Sequence, residues 1–461
     1  MTRKLTQISA TIAVALATFI GSVMMSALNV ALPIIQKEFT ISAVTLTWVS
    51  TSYILSNAVF LIVVGKIADI FGRKKIFISG IGILALSTLF SGFCNSIVLL
   101  LGLRIIQGIG SAMINATAMA IISSVFPPHR RGFAIGIATA AIYTGLSLGP
   151  FLGGIITATL GWRYIFFLAA PLEIIPFFLT IAFVKEEWAD ARGETYDLPG
   201  SLLYAVSLSL FMYGVTLLPA VKALAFLIPG ITGLVLFVRR EMRISFPVFE
   251  VSLFRSNRVF AFSSIAALIH YASTYAITFL LSLYLQISLN VSPQLTGIIL
   301  AAQPITQAIL SPIAGRLSDR IEPAILVSTG MAITSAGLFM FSFLTTESSV
   351  YYVTAVLFFI GSGYAFFSSP NTNAIMSSIE RKYYGLASGT VATMRSLGMV
   401  LSMGVTTIVF SAVIGDREIG PETLPEFSLS VKISFIIFSL ICMVGVYFSA
   451  VRGNLEREEI G

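Results

Sequence analysis

The chain has 461 residues, of which 56% are hydrophobic and only 11% are charged, and its mean hydropathy is +0.93. A soluble domain carries about 25% charged residues, so too little charge remains here to cover a water-exposed surface. The net charge of +7 would suit a nucleic-acid-binding protein, but membrane topology explains it better. We therefore expect an all-α integral membrane protein that binds membrane lipid and no nucleic acid.

Fourteen apolar segments follow one another along the chain, and each is long enough to cross a bilayer. About 20 apolar residues span ~30 Å as a helix, and continuous rather than alternating apolar runs exclude barrel strands. The predicted spans are 8–33, 46–67, 76–94, 97–122, 133–157, 164–184, 199–219, 221–238, 259–286, 294–314, 324–344, 350–374, 384–413 and 428–451.

Basic residues predict the orientation of these spans. With the N-terminus inside, 21 of the 28 Lys and Arg residues fall on the cytoplasmic side and 5 fall outside. Because cytoplasmic loops are enriched in Lys and Arg, this ratio predicts that both termini are cytoplasmic. We expect a multi-pass protein of the plasma (cytoplasmic) membrane.

One stretch of sequence occurs in both halves of the chain. Gly65, Asp69, Gly72 and Arg73 follow the second span, and a shorter copy with Gly315, Asp319 and Arg320 follows the tenth. The offset of eight spans predicts two six-helix bundles related by a parallel pseudo-repeat, plus two extra central helices. The predicted domains are an N-terminal bundle (1–184), a linker with the two additional helices (185–258) and a C-terminal bundle (259–461).

Further motifs make the resemblance specific over essentially the whole chain. They are Leu28 to Pro33 in the first span, Arg104 to Ala112 in the fourth, Gly145 to Gly154 in the fifth, Trp162 to Phe166 before the sixth, and Gly385 to Gly389 in the second half. With them the chain resembles a fourteen-helix drug/proton antiporter of the major facilitator superfamily, the group of quaternary-ammonium and tetracycline exporters. The resemblance implies the major facilitator fold.

The resemblance also assigns roles to two of the motifs. Gly65, Asp69, Gly72, Arg73, Gly315, Asp319 and Arg320 are expected to form a conformational gate, in which Asp69 can cap a helix start and pair with Arg73 or with a basic residue of the neighbouring loop. The alternative is plain membrane topology, which retains basic loops on the inside. Gly145, Gly149, Pro150, Gly153 and Gly154 form the antiporter motif. Small residues there allow close helix approach, and Pro150 removes a helix hydrogen bond; ordinary small-residue packing is the alternative.

The chain departs from the family pattern where a proton site is usual. Met24 stands at the position in the first span where the family often has an acid, and Glu173 is the acid that lies deep in a span. A carboxyl at that depth is desolvated, so Glu173 is a candidate proton carrier; a buried structural carboxyl is the alternative. His270 changes charge near neutral pH and is a second candidate, although a packing role is the more common one. Arg104 is a third coupling candidate, unless it snorkels to the surface.

A central cavity is expected to bind the substrate through aromatic and weakly polar side chains. The candidates are Met25, Asn29, Asn115, Tyr143, Tyr271, Tyr275, Gln303, Gln307, Tyr364, Phe367, Asn371 and Arg395. Aromatic faces suit amphipathic or cationic organic molecules, and methionine adapts to varied shapes. The alternative for most aromatic residues is a lipid-facing position.

These observations favour a proton-coupled multidrug efflux transporter that exports small amphipathic or cationic organic compounds by alternating access. A lipid or lipid-conjugate flippase on the same scaffold and a non-transporting sensor remain alternatives. The sequence contains no nucleotide-binding loop, metal cluster or nucleophile–base set, so we expect no enzyme, cofactor or metal. Such an architecture can work as a monomer.

Overall fold

The fourteen predicted spans are confirmed by a computed structural model, whose described residues contain 14 helical segments that are long and apolar enough to cross a membrane. The structure describes residues 3–126, 128–218, 220–244, 247–249, 251–318, 320–379 and 384–453. The fold class, all-α and integral to the membrane, is therefore as expected.

Each of the first eight spans is a single helix. They are α1 (Arg3–Phe39), α2 (Ala43–Phe71), α3 (Arg73–Ser91), α4 (Ile97–Val125), α5 (Pro128–Thr159), α6 (Arg163–Phe183), α7 (Leu198–Thr216) and α8 (Leu224–Glu241). A short 3₁₀ turn (Val221–Ala223) precedes α8.

The remaining six spans follow a short helix, α9 (Ser252–Ser256). The ninth span consists of α10 (Arg258–Thr274), α11 (Ala276–Leu283) and a π-helical turn (Tyr284–Ser288), and the tenth of α12 (Pro293–Leu300) and α13 (Ala302–Ser318). The last four are α14 (Pro323–Phe341), α15 (Val350–Ser377), α16 (Tyr384–Val413) and α17 (Leu424–Ala450), with a 3₁₀ turn (Pro421–Thr423) before α17.

Several helices begin at a hydroxyl side chain that accepts a hydrogen bond from a backbone N–H of the first turn. Ser42 accepts from Thr45, Ser96 from Leu99, and Ser292 from Leu295. These bonds satisfy N–H groups that have no partner within the helix. Helices also run beyond the apolar segments: α1 continues to Phe39, because polar residues prolong a helix without adding to its apolar run.

Two faces of the molecule are defined by the connections between helices. The terminal face is the one where α1 begins, α17 ends and the connection 184–197 lies, and the distal face carries the connections 40–42, 160–162 and 289–292. On the distal face, Glu38 accepts hydrogen bonds from Trp162 and Arg163. The motif at the start of α6 thus ties that helix to the end of α1.

Helix packing repeats between the two halves. In the first half α1 packs on α5 and α6, α2 on α4, and α3 on α4 and α6. In the second half α10 packs on α16 and α17, α13 on α15, and α14 on α15 and α17. Each pair in the second set lies eight spans after its counterpart, which is the arrangement expected of a parallel repeat.

The two bundles contact one another most closely in their distal halves. Thr47 and Thr407 share a hydrogen bond of 2.9 Å between their hydroxyls, and Ser282 donates to the backbone oxygen of Asn29 at 2.6 Å. Gln286 donates to the backbone oxygen of Val30 at 2.9 Å. The distal side of the interface between the bundles is therefore closed.

Helices α7 and α8 form a hairpin on the outside of this interface. α7 packs against both α2 and α16, and the Tyr204 hydroxyl donates to the Ala58 carbonyl at 3.2 Å. At the terminal face, Asp197 caps α7 and accepts from Arg240 at 2.6 Å. The hydrogen bond from Arg240 is the main cause of the lowered pKa of Asp197. The carboxylate is therefore charged at neutral pH and stabilises the hairpin, and this stabilisation is lost as the pH falls through the lowered pKa.

Candidate functional site

A cavity of about 160 Å³ lies between the bundles at the middle of the helices. Its walls come from α1, α2, α3, α4 and α5 in the first half and from α10, α11, α12, α13, α15 and α16 in the second. A midplane cavity between two repeats is where secondary transporters place their substrate.

Most of the predicted substrate-binding residues line this cavity. They are Met25, Asn29, Asn115, Tyr143, Tyr271, Tyr275, Gln303, Gln307, Tyr364 and Arg395. Two predicted residues lie behind the wall instead: Phe367 is 2% exposed, and Asn371 donates to the Ser263 carbonyl and accepts from Arg452. Neither side chain lines the cavity.

Arg395 gives the cavity a positive charge. It is the one charged residue among the described lining residues, which include no Asp or Glu. At an effective dielectric constant of ~20, a monocation about 8 Å from this guanidinium is disfavoured by ~2 kcal/mol, and a monoanion is favoured by the same amount. The expected preference for cations therefore has no carboxylate to support it in the described wall.

A buried polar chain connects Arg104 with Glu173. Arg104 donates to Gln107 at 2.9 Å, and Gln107 donates to Thr88 at 3.3 Å. The Thr88 hydroxyl donates to Glu173 Oε1 at 3.4 Å. The guanidinium of Arg104 also lies 4.3 Å from the centroid of the Tyr53 ring, which lines the cavity. Arg104 is 2% exposed, so it does not snorkel to the surface.

Glu173 lies at the middle of α6, outside the cavity wall, and is 2% exposed. Its Oε2 atom has no hydrogen-bond partner among the described residues. An ionised carboxylate that is buried with one long hydrogen bond is costly, whereas the neutral acid is tolerated there. The site therefore favours the protonated form in this conformation.

His270 lies beside the cavity but is sealed from it. Its ring stacks on Phe367 with centroids 3.8 Å apart and contacts Tyr364 edge-on at 4.6 Å. The residue is 0% exposed, and in the described part of the chain neither ring nitrogen has a partner. This environment is typical of a neutral packing histidine rather than of one that exchanges protons.

The sequence profile of the Major Facilitator Superfamily matches residues 14–403, and a second match covers 263–459. The chain belongs to this superfamily. Superfamily members are transporters and not enzymes, in agreement with the expected absence of catalysis.

Curated relatives within the superfamily differ in what they are named for. The chain is 28% identical to the riboflavin transporter RibZ of Clostridioides difficile over 438 residues, which are 94% of this chain and 95% of RibZ. It is 32% identical to the multidrug resistance protein Stp of Mycobacterium tuberculosis over 414 residues, which are 88% of this chain and 76% of Stp. The tetracenomycin C resistance and export protein of Streptomyces glaucescens is 26% identical over 424 residues, 90% of this chain and 78% of that protein.

A solved transporter structure shares the fold. The bacterial homologue of the human lysosomal transporter Spinster, in an inward-facing and unoccupied conformation, aligns with a TM-score of 0.69 and 18% identity. The alignment covers 98% of this chain and 96% of that one.

The superfamily glycine motif of α5 lies at two helix contacts. A methyl group at Gly145 or Gly153 would collide with backbone atoms of α1, and one at Gly149 would collide with the Ser26 hydroxyl, also in α1. Gly154 instead faces the Pro293 carbonyl of the other bundle, and the Pro150 carbonyl faces Gly297. The motif therefore contains one contact within a bundle and one between bundles.

The predicted gate motif at the terminal face is joined by the connection 184–197. Arg73 pairs with Asp69 at 2.7 Å, as predicted, and with Asp190 at 2.8 Å. Asp69 lies in the last turn of α2 and does not cap the start of α3, which has no side-chain cap; its carboxylate accepts from the Arg73 side chain instead. Gly72 has a φ of +124° between α2 and α3, and Glu187 lies against it.

The remaining gate residues are placed as follows. Gly65 faces Ala116 of α4, and Lys66 beside it pairs with Glu194 at 2.6 Å. Gly315 faces the Ser369 hydroxyl of α15. Arg320 follows the end of α13, and Asp319 lies outside the described residues.

Sequence reasoning missed several polar residues of the cavity wall. Tyr53 and Asn57 both contact the Ser111 hydroxyl, at 2.8 and 3.1 Å, and Ser396 reaches Asn57 from the other bundle at 3.4 Å. The signal was present, because Tyr53 and Asn57 are four residues apart and share one face of α2.

Replacement of His270 with phenylalanine tests the packing role. We expect His270→Phe to keep the stack on Phe367 and to retain substrate flux within about twofold, because no described hydrogen bond is lost. His270→Ala would leave a cavity and lower the free energy of unfolding by ~3 kcal/mol, which would lower the melting midpoint. The measurement is flux in proteoliposomes together with the melting midpoint. Loss of flux in folded His270→Phe would assign the imidazole a part in coupling.

Proposed function

We propose that the chain is a proton-coupled exporter of small amphipathic organic compounds that works by alternating access. The observation that carries this proposal is the midplane cavity, which lies between two repeated bundles and is lined by side chains of both. Two of the relatives are named for resistance or export, and one for riboflavin transport. Efflux and drug resistance are therefore the favoured role among the transport roles of the superfamily.

The basic residues support the orientation in the membrane. Arg73, Lys74, Arg239, Arg258 and Arg316 all lie at or near the terminal face. By the positive-inside rule that face is cytoplasmic, with both termini inside the cell and the protein in the plasma membrane. Since the bundles are closed on the distal side, the cavity is then shut off from the outside of the cell in this conformation.

Proton coupling is assigned to Glu173. Thr88, Gln107 and Arg104 connect this carboxyl to Tyr53 on the cavity wall. Protonation of Glu173 removes a buried negative charge behind the cavity wall, and deprotonation restores its attraction to Arg104. Coupling follows if the outward-open state exposes the carboxyl to the outer solution and the inward-open state to the cytoplasm.

Conformational control is assigned to the charged residues of the gate at the terminal face. Asp69, Arg73 and Asp190 lie together there, with Lys66 and Glu194 in the adjacent ion pair. Such charged contacts can differ between two conformations and so bias the equilibrium between them. Mobile ion pairs of this type contribute little individually, so the gate acts as a set.

The test is proton movement in proteoliposomes of the purified protein with a luminal pH probe. Riboflavin, a monocationic dye and fluorescein methyl ester are added in turn, in the presence and absence of a pH gradient. The proposal expects at least one compound to drive protons in the opposite direction, with empty liposomes as the control. Substrate flux without proton movement would contradict antiport and favour a uniporter or a flippase.

A further inference from the structure

We propose that the central cavity takes flat aromatic compounds that are neutral or negatively charged, and that Arg395 selects them against cations. This inference rests on the proposed transport function, because it names the substrate class of the same cavity. It departs from the cation preference expected of the resembling exporters and depends on features of this chain alone.

The first observation is that Arg395 lies at membrane depth, lines the cavity and has no described partner. The residue is eleven positions past the start of α16, or ~16 Å along the helix, and is only half-buried. An arginine at membrane depth normally pairs with an acid or with carbonyl groups. Within the described residues no hydrogen-bond acceptor or carboxylate contacts its guanidinium. A charged group that faces a cavity and has no protein partner is suited to pair with a ligand.

The second observation is where the embedded acid lies. Glu173 is outside the cavity wall, and the chain of Thr88, Gln107 and Arg104 separates it from Tyr53. The buried guanidinium between Glu173 and the cavity is itself positive, so the acid cannot offset the charge of Arg395. A cation in the cavity would therefore face the Arg395 guanidinium and no carboxylate of the described chain, with the second guanidinium, that of Arg104, behind Tyr53.

The third observation is the distribution of rings and amides. Tyr53 and Tyr143 face the cavity from the first bundle, and Tyr271, Tyr275 and Tyr364 face it from the second. Rings on opposite walls favour a flat aromatic guest that can stack between them. The amides of Asn29, Asn115, Gln303 and Gln307 also line the cavity and suit polar groups on the edge of such a ring.

The test compares two dyes that share one skeleton and differ in charge. Fluorescein methyl ester is a monoanion at pH 8. The matching rhodamine methyl ester carries nitrogen groups in place of the two exocyclic oxygens of the three-ring system and is a monocation. Binding of each is titrated by fluorescence anisotropy with purified protein in an uncharged maltoside detergent, and empty micelles correct for partition. We expect the anion to bind at least about tenfold more tightly than the cation.

Three variants separate the role of Arg395 from that of overall charge. Arg395→Gln is expected to reduce the preference to about twofold or less, and Arg395→Lys to retain most of it because the charge remains. Arg239→Gln removes the same charge from an exposed position at the end of α8 and should leave the preference unchanged. Size-exclusion profiles and melting midpoints show whether each variant is folded.

The outcomes distinguish this inference from the proposed function. A cation that binds as tightly as the anion, or a preference that survives Arg395→Gln, would overturn the assignment while leaving proton-coupled export intact. Failure of the folded wild type to bind either dye would overturn it as well. Selective binding of the anion without any proton movement in proteoliposomes would uphold the inference and contradict antiport instead.

Discussion

Gly297→Leu is expected to abolish net transport while leaving the protein folded. Gly297 of α12 faces Pro150 of α5, and even a methyl group there would collide with the Pro150 carbonyl oxygen and carbon. Both contacts are backbone atoms, which cannot turn aside as a side chain can, so the two bundles must separate on the distal side. The variant would be held open toward the distal face, and flux would fall at least about tenfold because alternating access needs both states.

The measurement combines flux with accessibility. A cysteine at Thr47, which is 0% exposed beside Thr407, should react with a membrane-impermeant maleimide from the distal side much faster in Gly297→Leu than in the chain with the native glycine. Gly154→Leu should act alike, since Gly154 meets the Pro293 carbonyl across the same contact. Gly102→Leu is the matched control, because an added methyl there meets open space. Normal flux in Gly297→Leu, or an unlabelled cysteine at Thr47, would contradict closure at this contact.

Glu173→Gln is expected to abolish accumulation driven by a pH gradient while retaining substrate binding. The amide keeps the size of the side chain and can still accept from Thr88, but it cannot release a proton. We expect pH-driven flux to fall at least about tenfold. Exchange of labelled for unlabelled substrate should continue, because exchange requires no net proton transfer.

Two further variants make this result specific. Glu347→Gln removes an exposed carboxyl from a distal connection and should change neither flux nor exchange. Thr88→Val removes the hydrogen bond to Glu173 and should slow coupled flux without abolishing it. Unchanged pH-driven flux in Glu173→Gln would show that the carboxyl is structural. Loss of both flux and exchange would point to a stalled conformational change instead.

Many residues of the candidate site could be predicted from the sequence, because they are polar residues within otherwise apolar spans. Asn29, Asn115 and Gln303 interrupt apolar spans, and each lines the cavity. Polar groups in a membrane helix are costly in lipid, so their presence predicts an inward-facing position. Phe367 was also expected at the cavity, but it is 2% exposed and stacks on His270 instead. An aromatic residue is tolerated equally in a core, in lipid or at a cavity, so its type alone does not predict which position it takes.

The sequence by itself determined the membrane class, the fourteen spans, the repeat and the superfamily. Each of these depends on the order of apolar, basic and glycine residues along the chain. The thickness of the bilayer relates the length of an apolar run to a span, and the positive-inside rule relates the basic residues to the orientation. Only the tertiary structure decided that Glu173 lies behind Thr88, that His270 is sealed against Phe367, and that Asp190 joins Arg73. These relations join residues far apart in sequence, and they depend on how each helix is rotated about its axis, which helix packing rather than hydropathy fixes.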